Sequence, residues 1–310
     1  MVCITGGAGF IGSHLAEKLL AAGDRVLVLD NFATGRRDNL PAHRELDLRE
    51  GTVADPVLVD GIFDEFRPEV VVHAAASYKD PANWEEDART NVIGMVNVVK
   101  ASERFGIQRL IYFQTSLCYG LHPAEHPITL RCPLDPGGSS YAVSKTAAEH
   151  YLRLSRLDYR SFRLANAYGP RNLSGPLPTF YQRLQEKKPC FVMDTRRDFI
   201  YVEDLLEVVV QGLQGRGRRG CYHIATGSDY AIRELFEAAV KTMGIRLETP
   251  VEVRPRQDDD AYTILLDPAE TCRDFAWRAR TPLEEGVREA VKWYQALPLT
   301  QTFTHLKNMK

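Results

Sequence analysis

Three side chains of this 310-residue chain have types and spacing that fit proton chemistry: Tyr141 and Lys145, and Thr115 upstream of them. Tyr141-Ala142-Val143-Ser144-Lys145 opens a predicted helix, and residues four apart share one helical face. A tyrosine with a pKa of about 10 is a poor base at neutral pH. An ammonium beside it, or another fixed positive charge, stabilises the phenolate and lowers that value. The phenolate then takes a hydroxyl proton while hydride leaves the same carbon. A hydroxyl such as Thr115 holds the substrate oxygen in line. A Tyr/Lys pair at helix spacing also arises on ordinary surfaces, so its weight depends on what else the chain carries.

Residues 2–15 carry it. The apolar run Val2-Cys3-Ile4-Thr5 stops at Gly6, Gly9 and Gly12, and a helical pattern starts at once. That order of strand, glycine turn and helix is the context a dinucleotide fingerprint needs. Gly6 permits the tight turn, Gly9 lets the backbone approach a pyrophosphate, and Gly12 lets the helix pack close to the strand. Phe10 and Ile11 stand within this turn as cofactor contacts, and free N–H groups at the start of the helix that follows face the anion. A second strand, Val26-Leu27-Val28-Leu29, ends at Asp30, about 20 residues on, where a ribose ligand belongs. A carboxylate there accepts bonds from the ribose hydroxyls and repels a 2′-phosphate, which favours NAD over NADP. Arg36 and Arg37 read as solvated loop charges.

The bulk properties bound the rest. With 44% hydrophobic residues the chain can bury one large or two modest cores. A net charge of -2 gives no reason to expect nucleic acid or an anionic membrane as partner. No apolar run approaches the roughly 20 residues that span a bilayer. A strand beginning at residue 2 leaves no room for a signal peptide. Six scattered cysteines without a C-x-x-C read as free thiols, and no metal site is expected. These readings predict a cytoplasmic protein.

The elements predicted to position the chemistry alternate. Helices are expected near 13–22, 57–66, 83–105 and 141–157, with strands at 26–29, before Gly51, at 70–73, 110–113 and 161–164. Val70-Val71-Val72 is wholly apolar, as buried parallel strands are, and runs into His73, a core histidine, and Ala74, Ala75 and Ala76, whose small side chains let a cofactor lie against the backbone. Thr115 falls just past the carboxyl end of its strand, where ligands bind in α/β sheets. The alternation breaks after residue 165. The expected fold is an α/β doubly wound parallel sheet of the Rossmann type over 1–165, resuming near 197–225, with a smaller interleaved α/β substrate domain over 166–310.

Thr5-Gly6-Gly7-Ala8-Gly9-Phe10-Ile11-Gly12 together with Tyr141-x-x-x-Lys145 resembles the extended short-chain dehydrogenase/reductases, which act mainly on nucleotide sugars. The resemblance runs to about residue 295 and is nearest to UDP-glucose 4-epimerase-like enzymes of O-antigen-type sugar clusters. It implies that Asp30, Asn31, Thr34 and Gly35 contact the adenosine ribose, that Thr52 and Val53 flank adenine, that Ala74 to Ala76 line the cofactor, and that Lys145 also binds the nicotinamide ribose. Many members have Asp at the Thr52 position. On the substrate side it implies Asn166 and Arg197 for the diphosphate, a second arginine at Arg256 or Arg254 (the family slot itself holds Gln257), and Phe191 and Met193 beside uracil. Ile264 would stand near the sugar C2 substituent. The resemblance also implies a homodimer built from the helices at 83–105 and 141–157.

The same resemblance narrows the reaction. The 4,6-dehydratases carry Thr-Asp-Glu where this chain has Thr115-Ser116-Leu117, and leucine cannot carry a proton. Uronate decarboxylases and GDP-mannose dehydratases usually keep the glutamate. Uronate 4-epimerases usually have Thr at Asn166 and Arg at Leu173. The expectation is therefore C4 epimerisation of a nucleotide-diphosphate sugar, a UDP-hexose or UDP-N-acetylhexosamine, through a 4-keto intermediate. A dehydratase, a 4-ketosugar reductase and a non-catalytic NAD-sensing protein are the alternatives.

Overall fold

The computed structural model describes residues 1–78, 80–256, 260–297, 299 and 302. The chain runs β1 (Val2–Thr5), α1 (Phe10–Ala21), β2 (Val26–Asp30), β3 (Leu46–Glu50), α2 (Pro56–Phe66) and β4 (Val70–His73). Then come α3 (Trp84–Asp87), α4 (Gly94–Arg104), β5 (Arg109–Thr115), α5 (Ser140–Leu154) and β6 (Asp158–Leu164). The second half runs β7 (Asn166–Tyr168), α6 (Pro176–Gln185), β8 (Phe191–Met193), β9 (Arg196–Arg197), β10 (Phe199–Tyr201), α7 (Val202–Leu213) and β11 (Gly220–Ile224). It ends with β12 (Tyr230–Ala231), α8 (Ile232–Met243), β13 (Glu252–Arg254), α9 (Ala269–Phe275) and α10 (Leu283–Ala296).

The seven-stranded parallel sheet has the order β11-β6-β5-β4-β1-β2-β3. Strand order reverses between β1 and β4, and the crevice outside the carboxyl ends of those strands is where such sheets bind ligands. Period-two alternation divides the core. Ile4, Val28, Val72 and Ile111 pack on one face with Leu15 and Leu19 of α1 and Leu205 and Val209 of α7. Leu27, Leu29, Val71 and Leu110 pack on the other with Val59 and Phe63 of α2, Val98 of α4 and Leu152 of α5. A separate cluster joins Phe180 of α6, Phe236 of α8, and Val287 and Val291 of α10. Among the described residues no helix is long and apolar enough to cross a membrane.

Two helices differ from expectation. The stretch near 83–105 is helical but not uniform: residues 88–93 form a π turn between α3 and α4, a feature that often marks functional sites. It presents Asn91 toward the neighbouring loop and helix, where Asn91 Nδ2 donates to the Ser144 hydroxyl at 2.9 Å and to the Ser77 carbonyl at 3.0 Å. Helix α5 stops at Leu154 rather than 157. The Ser155 hydroxyl donates to the Leu152 carbonyl there, and β6 begins earlier because Asp158 pairs with Arg109 of β5.

Candidate active site

The glycine turn fixes the first wall. Gly6 has φ +69°, and a Cβ there would lie 2.6 Å from the Ala75 nitrogen, so the turn presses directly on the alanines after β4. A Cβ on Gly12 would lie 2.4 Å from the Gly6 carbonyl oxygen. No side chain caps α1 at Gly9, which leaves the first-turn amides of α1 directed at the crevice. Asp30 is held at the end of β2 by two amides: Ala8 N–H donates to one oxygen at 2.9 Å and Phe32 N–H to the other at 2.8 Å. Burial pushes its carboxyl up, against those two bonds.

One cavity of about 490 Å³ runs along this wall, within the usual range for small-molecule sites. Gly6, Gly9, Phe10, Ile11, Gly12, Asp30, Asn31 and Thr34 line it at one end, with Thr52, Val53 and Ala74 to Ala76 beside them. Gly35 does not line it. The absence of a side chain there makes room for the Asp30 carboxylate, whose oxygens would lie 3.0 Å from a Cβ.

Thr115, Tyr141, Lys145 and Asn166 line the same cavity further along. The Thr115 hydroxyl favours the charged form of the Tyr141 phenol and accepts the Leu117 amide at 3.2 Å. Lys145 is 2% exposed. Its carbonyl accepts the Tyr112 hydroxyl and Gln114 Nε2, both at 3.0 Å, and its ammonium lies 4.2 Å from the centre of the Tyr112 ring. Burial pushes Lys145 down to about 7, opposed by the Glu149 charge one turn along α5. Burial, with the Tyr78 and Asp87 charges, pushes Tyr141 up, and the Thr115 bond offsets only part of this. The lowering of Tyr141 by Lys145 is thus not what the protein's own groups produce, because burial acts against the charged form of both.

The other expected substrate residues are divided. Asn166 N–H donates to the Asp198 carbonyl at 2.9 Å, its side-chain Nδ2 reaches the same oxygen at 3.4 Å, and the residue lines the cavity with Asn172, Ser174 and Leu177. Arg197 does not line the cavity; it pairs with the Asp260 carboxylate and donates to the Ala261 carbonyl at 2.9 Å. Arg256 donates to the Asp260 carbonyl at 2.8 Å, so both arginines converge on Asp260. Gln257 lies outside the described residues. Phe191 and Met193 stand on β8, paired with β13, and the Arg254 guanidinium stacks 3.7 Å from the Phe191 ring centre. Ile264 does not border the cavity: it is 2% exposed and sits in the core with Leu266, so the expected sugar contact is corrected to a packing role.

The sequence profile of the NAD dependent epimerase/dehydratase family matches residues 2–225. The chain belongs to that family. It is 32% identical over 312 aligned positions to UDP-glucose 4-epimerase of Mycolicibacterium smegmatis, covering 94% of this chain and 97% of that one. Among solved structures, the Bordetella bronchiseptica enzyme WbmH in complex with NAD+ gives a TM-score of 0.93 at 49% identity, covering 96% of this chain and 99% of that one. WbmG of the same organism, in complex with NAD and UDP, gives 0.92 at 44% identity, covering 98% of each.

In this epimerase/dehydratase several functional candidates carry no sequence signal. Tyr78 lines the cavity and stands edge-on to Tyr141, ring centres 6.5 Å apart. The Ser77 hydroxyl donates to Asp87 at 2.7 Å, and Ser77 N–H donates to Asn91 at 2.8 Å, tying the loop after β4 to the π turn. Behind α5, the buried Glu149–Arg163 pair is completed by the Ser161 and Tyr119 hydroxyls. Burial alone would raise Glu149, but Arg163 and Ser161 prevail and hold it low. None of these pairings follows a fixed spacing, so only the fold brings them together.

Proposed function

We propose that this chain is an NAD-dependent epimerase acting at C4 of a UDP-linked hexose or N-acetylhexosamine. The observation that carries this reading is one continuous cavity. Asp30 and the glycine turn lie at one end, Thr115, Tyr141 and Lys145 lie along it, and Asn166 and Asn172 lie beyond. The residues fit NAD: the amide-fixed Asp30 carboxylate matches ribose hydroxyls, and the uncapped start of α1 matches a pyrophosphate. NAD, when bound, takes up and returns hydride and brings a positive ring near Tyr141. The NAD dependent epimerase/dehydratase profile and the NAD and UDP complex of the similar WbmG support this assignment.

The chain's own groups then divide the work. Thr115 holds the C4 oxygen in line by its hydroxyl. Tyr141 takes the C4 hydroxyl proton as the carbon is oxidised, and gives it back when the 4-keto sugar has turned and is reduced on its other face. Lys145 orients the ribose, and only together with the positive nicotinamide would its ammonium stabilise the phenolate against the burial that raises Tyr141. Leu117 stands where elimination would need a proton carrier, which disfavours a dehydratase. Arg197 and Arg256 are placed to grip a diphosphate only if their contacts with Asp260 are exchanged for the ligand.

The active unit is a C2 homodimer in the cytoplasm. Ile93, Val143, Tyr151 and Leu154 are exposed on the joined faces of the π turn and α5, and an isologous contact there would cover them. Residues 1–165 with the returning β11 are assigned to NAD, and the remainder from 166 to 310 to the sugar nucleotide. The test is incubation of the purified protein, without added cofactor, with UDP-, dTDP- and GDP-sugars. Proton NMR should show a new anomeric signal with a UDP-sugar, and the heat-denatured protein should release NAD at near one per chain. A requirement for added NADPH, or a 4-keto-6-deoxy product, would overturn the reading.

A further inference from the structure

We propose that Tyr112 is a positioning residue for Lys145, its ring face holding the lysine side chain in the ammonium form inside the cleft wall. This rests on the assignment of Lys145 to catalysis, and it gives that residue a second, separate determinant.

A wholly buried ammonium needs a compensating charge or dipole. The groups that face Lys145 come from three elements. On α5 itself are Tyr141 and Glu149. On β4 is His73, a neutral ring 5.9 Å from Tyr112 that feels the lysine charge as repulsion. On β5 is Tyr112, kept neutral by burial. Glu149 is the single anion in this set, and its carboxylate is already paired with Arg163 and bonded to Ser161. A source of negative potential that is not so engaged is the π face of Tyr112, which is 0% exposed and lies 4.2 Å from the ammonium.

Tyr112 meets the lysine at two points. Its hydroxyl donates to the Lys145 carbonyl, a bond duplicated by Gln114 on the same oxygen. The hydroxyl therefore fixes the backbone redundantly, whereas among the described residues the Tyr112 ring alone lies beneath the ammonium. The two contributions can be separated.

The test replaces Tyr112 by Phe, and then by the 4-fluoro, 3,5-difluoro and 3,4,5-trifluoro analogues of Phe. Each fluorine withdraws negative potential from the ring face with little change of shape, so the series folds alike. Lysine labelled with 13C at Cε reports the Lys145 titration by NMR, assigned through Lys145→Arg, and the alkaline limb of the kcat/KM profile is followed in parallel. The expected result is a Lys145 pKa close to wild type in Tyr112→Phe and a stepwise fall with fluorination, reaching roughly 0.5 to 1.5 units. A pKa unchanged across the fluorinated series would overturn the proposal. So would a full shift already present in Tyr112→Phe, which would assign the effect to the hydroxyl. The NMR titration reads the ring's hold on Lys145 whether or not the protein epimerises any sugar, so failure of one reading is distinguishable from failure of the other.

Discussion

Thr5 Oγ1 and His73 Nδ1 share a hydrogen bond of 2.7 Å, which joins the carboxyl ends of β1 and β4 at the switch point of the sheet. Burial, and then the Lys145 charge, push His73 from 6.5 down to about 3. Between those values the unfolded chain binds a proton that the folded chain excludes. The His73 contribution to stability is therefore complete above pH 6.5 and is lost as pH drops, by up to about 1.4 kcal/mol per pH unit. Urea unfolding between pH 7 and 4.5 should show this slope. His73→Gln should be less stable at pH 7, for loss of the Thr5 bond and the ring contact, yet have a shallower acid slope.

Gly12 and Gly61 make a matched pair. A Cβ on Gly12 meets the Gly6 carbonyl and the Gly7 Cα, whereas one on Gly61, inside α2, meets nothing within 4 Å. Gly12→Ala should lower stability by about 1–3 kcal/mol and abolish co-purification of nucleotide. Gly61→Ala should raise stability by about 0.5–1 kcal/mol, as glycine in a helix interior is unfavourable. Thermal unfolding and released nucleotide per chain check both.

Removing the proton carrier should leave the pocket. Tyr141→Phe keeps the ring beside Tyr78 and loses only the hydroxyl, so kcat should fall by about 10²–10⁴ while NAD is retained. Thr115→Val should cost less, because alignment is lost and the base is kept. Rate measurements under saturating sugar nucleotide, with bound NAD counted in the same samples, separate chemistry from binding.

The exposed apolar side chains of α5 carry the dimer expectation. Leu154 is 80% exposed, with Tyr151 and Val143 on the same helix. Light scattering at micromolar concentration should give twice the chain mass of 35.0 kDa. Tyr151→Glu combined with Leu154→Glu should give the monomer, since two charges facing their symmetry mates are repelled.

The sheet and the cofactor end of the site were legible because their signals are local. A glycine must stand where φ is positive or a backbone approaches, and Asp30 ends a strand whose length the apolar run sets. Tyr141 and Lys145 needed only helical spacing. The second arginine and Ile264 rest on counting along irregular segments, where an offset of one residue changes the partner; Arg256 meets the Asp260 carbonyl, and Ile264 lies in the core. Tyr112 reads in the sequence as one more apolar position of β5. Its role exists only because α5 crosses that strand at Lys145.

The return of β11 to pair with β6 has a consequence for how this architecture can be divided or recombined. A fragment ending at residue 165 would leave the backbone of β6 as a long, unprotected border, carrying Tyr159, Phe162 and Leu164 toward solvent or another chain. It would also strand Arg163 and Tyr119 without the His223 side that closes their network. Exchange between relatives of the segments that lie outside this sheet should therefore be made as two inserts, one before α7 and one after β11, rather than as a single graft from residue 166 onward.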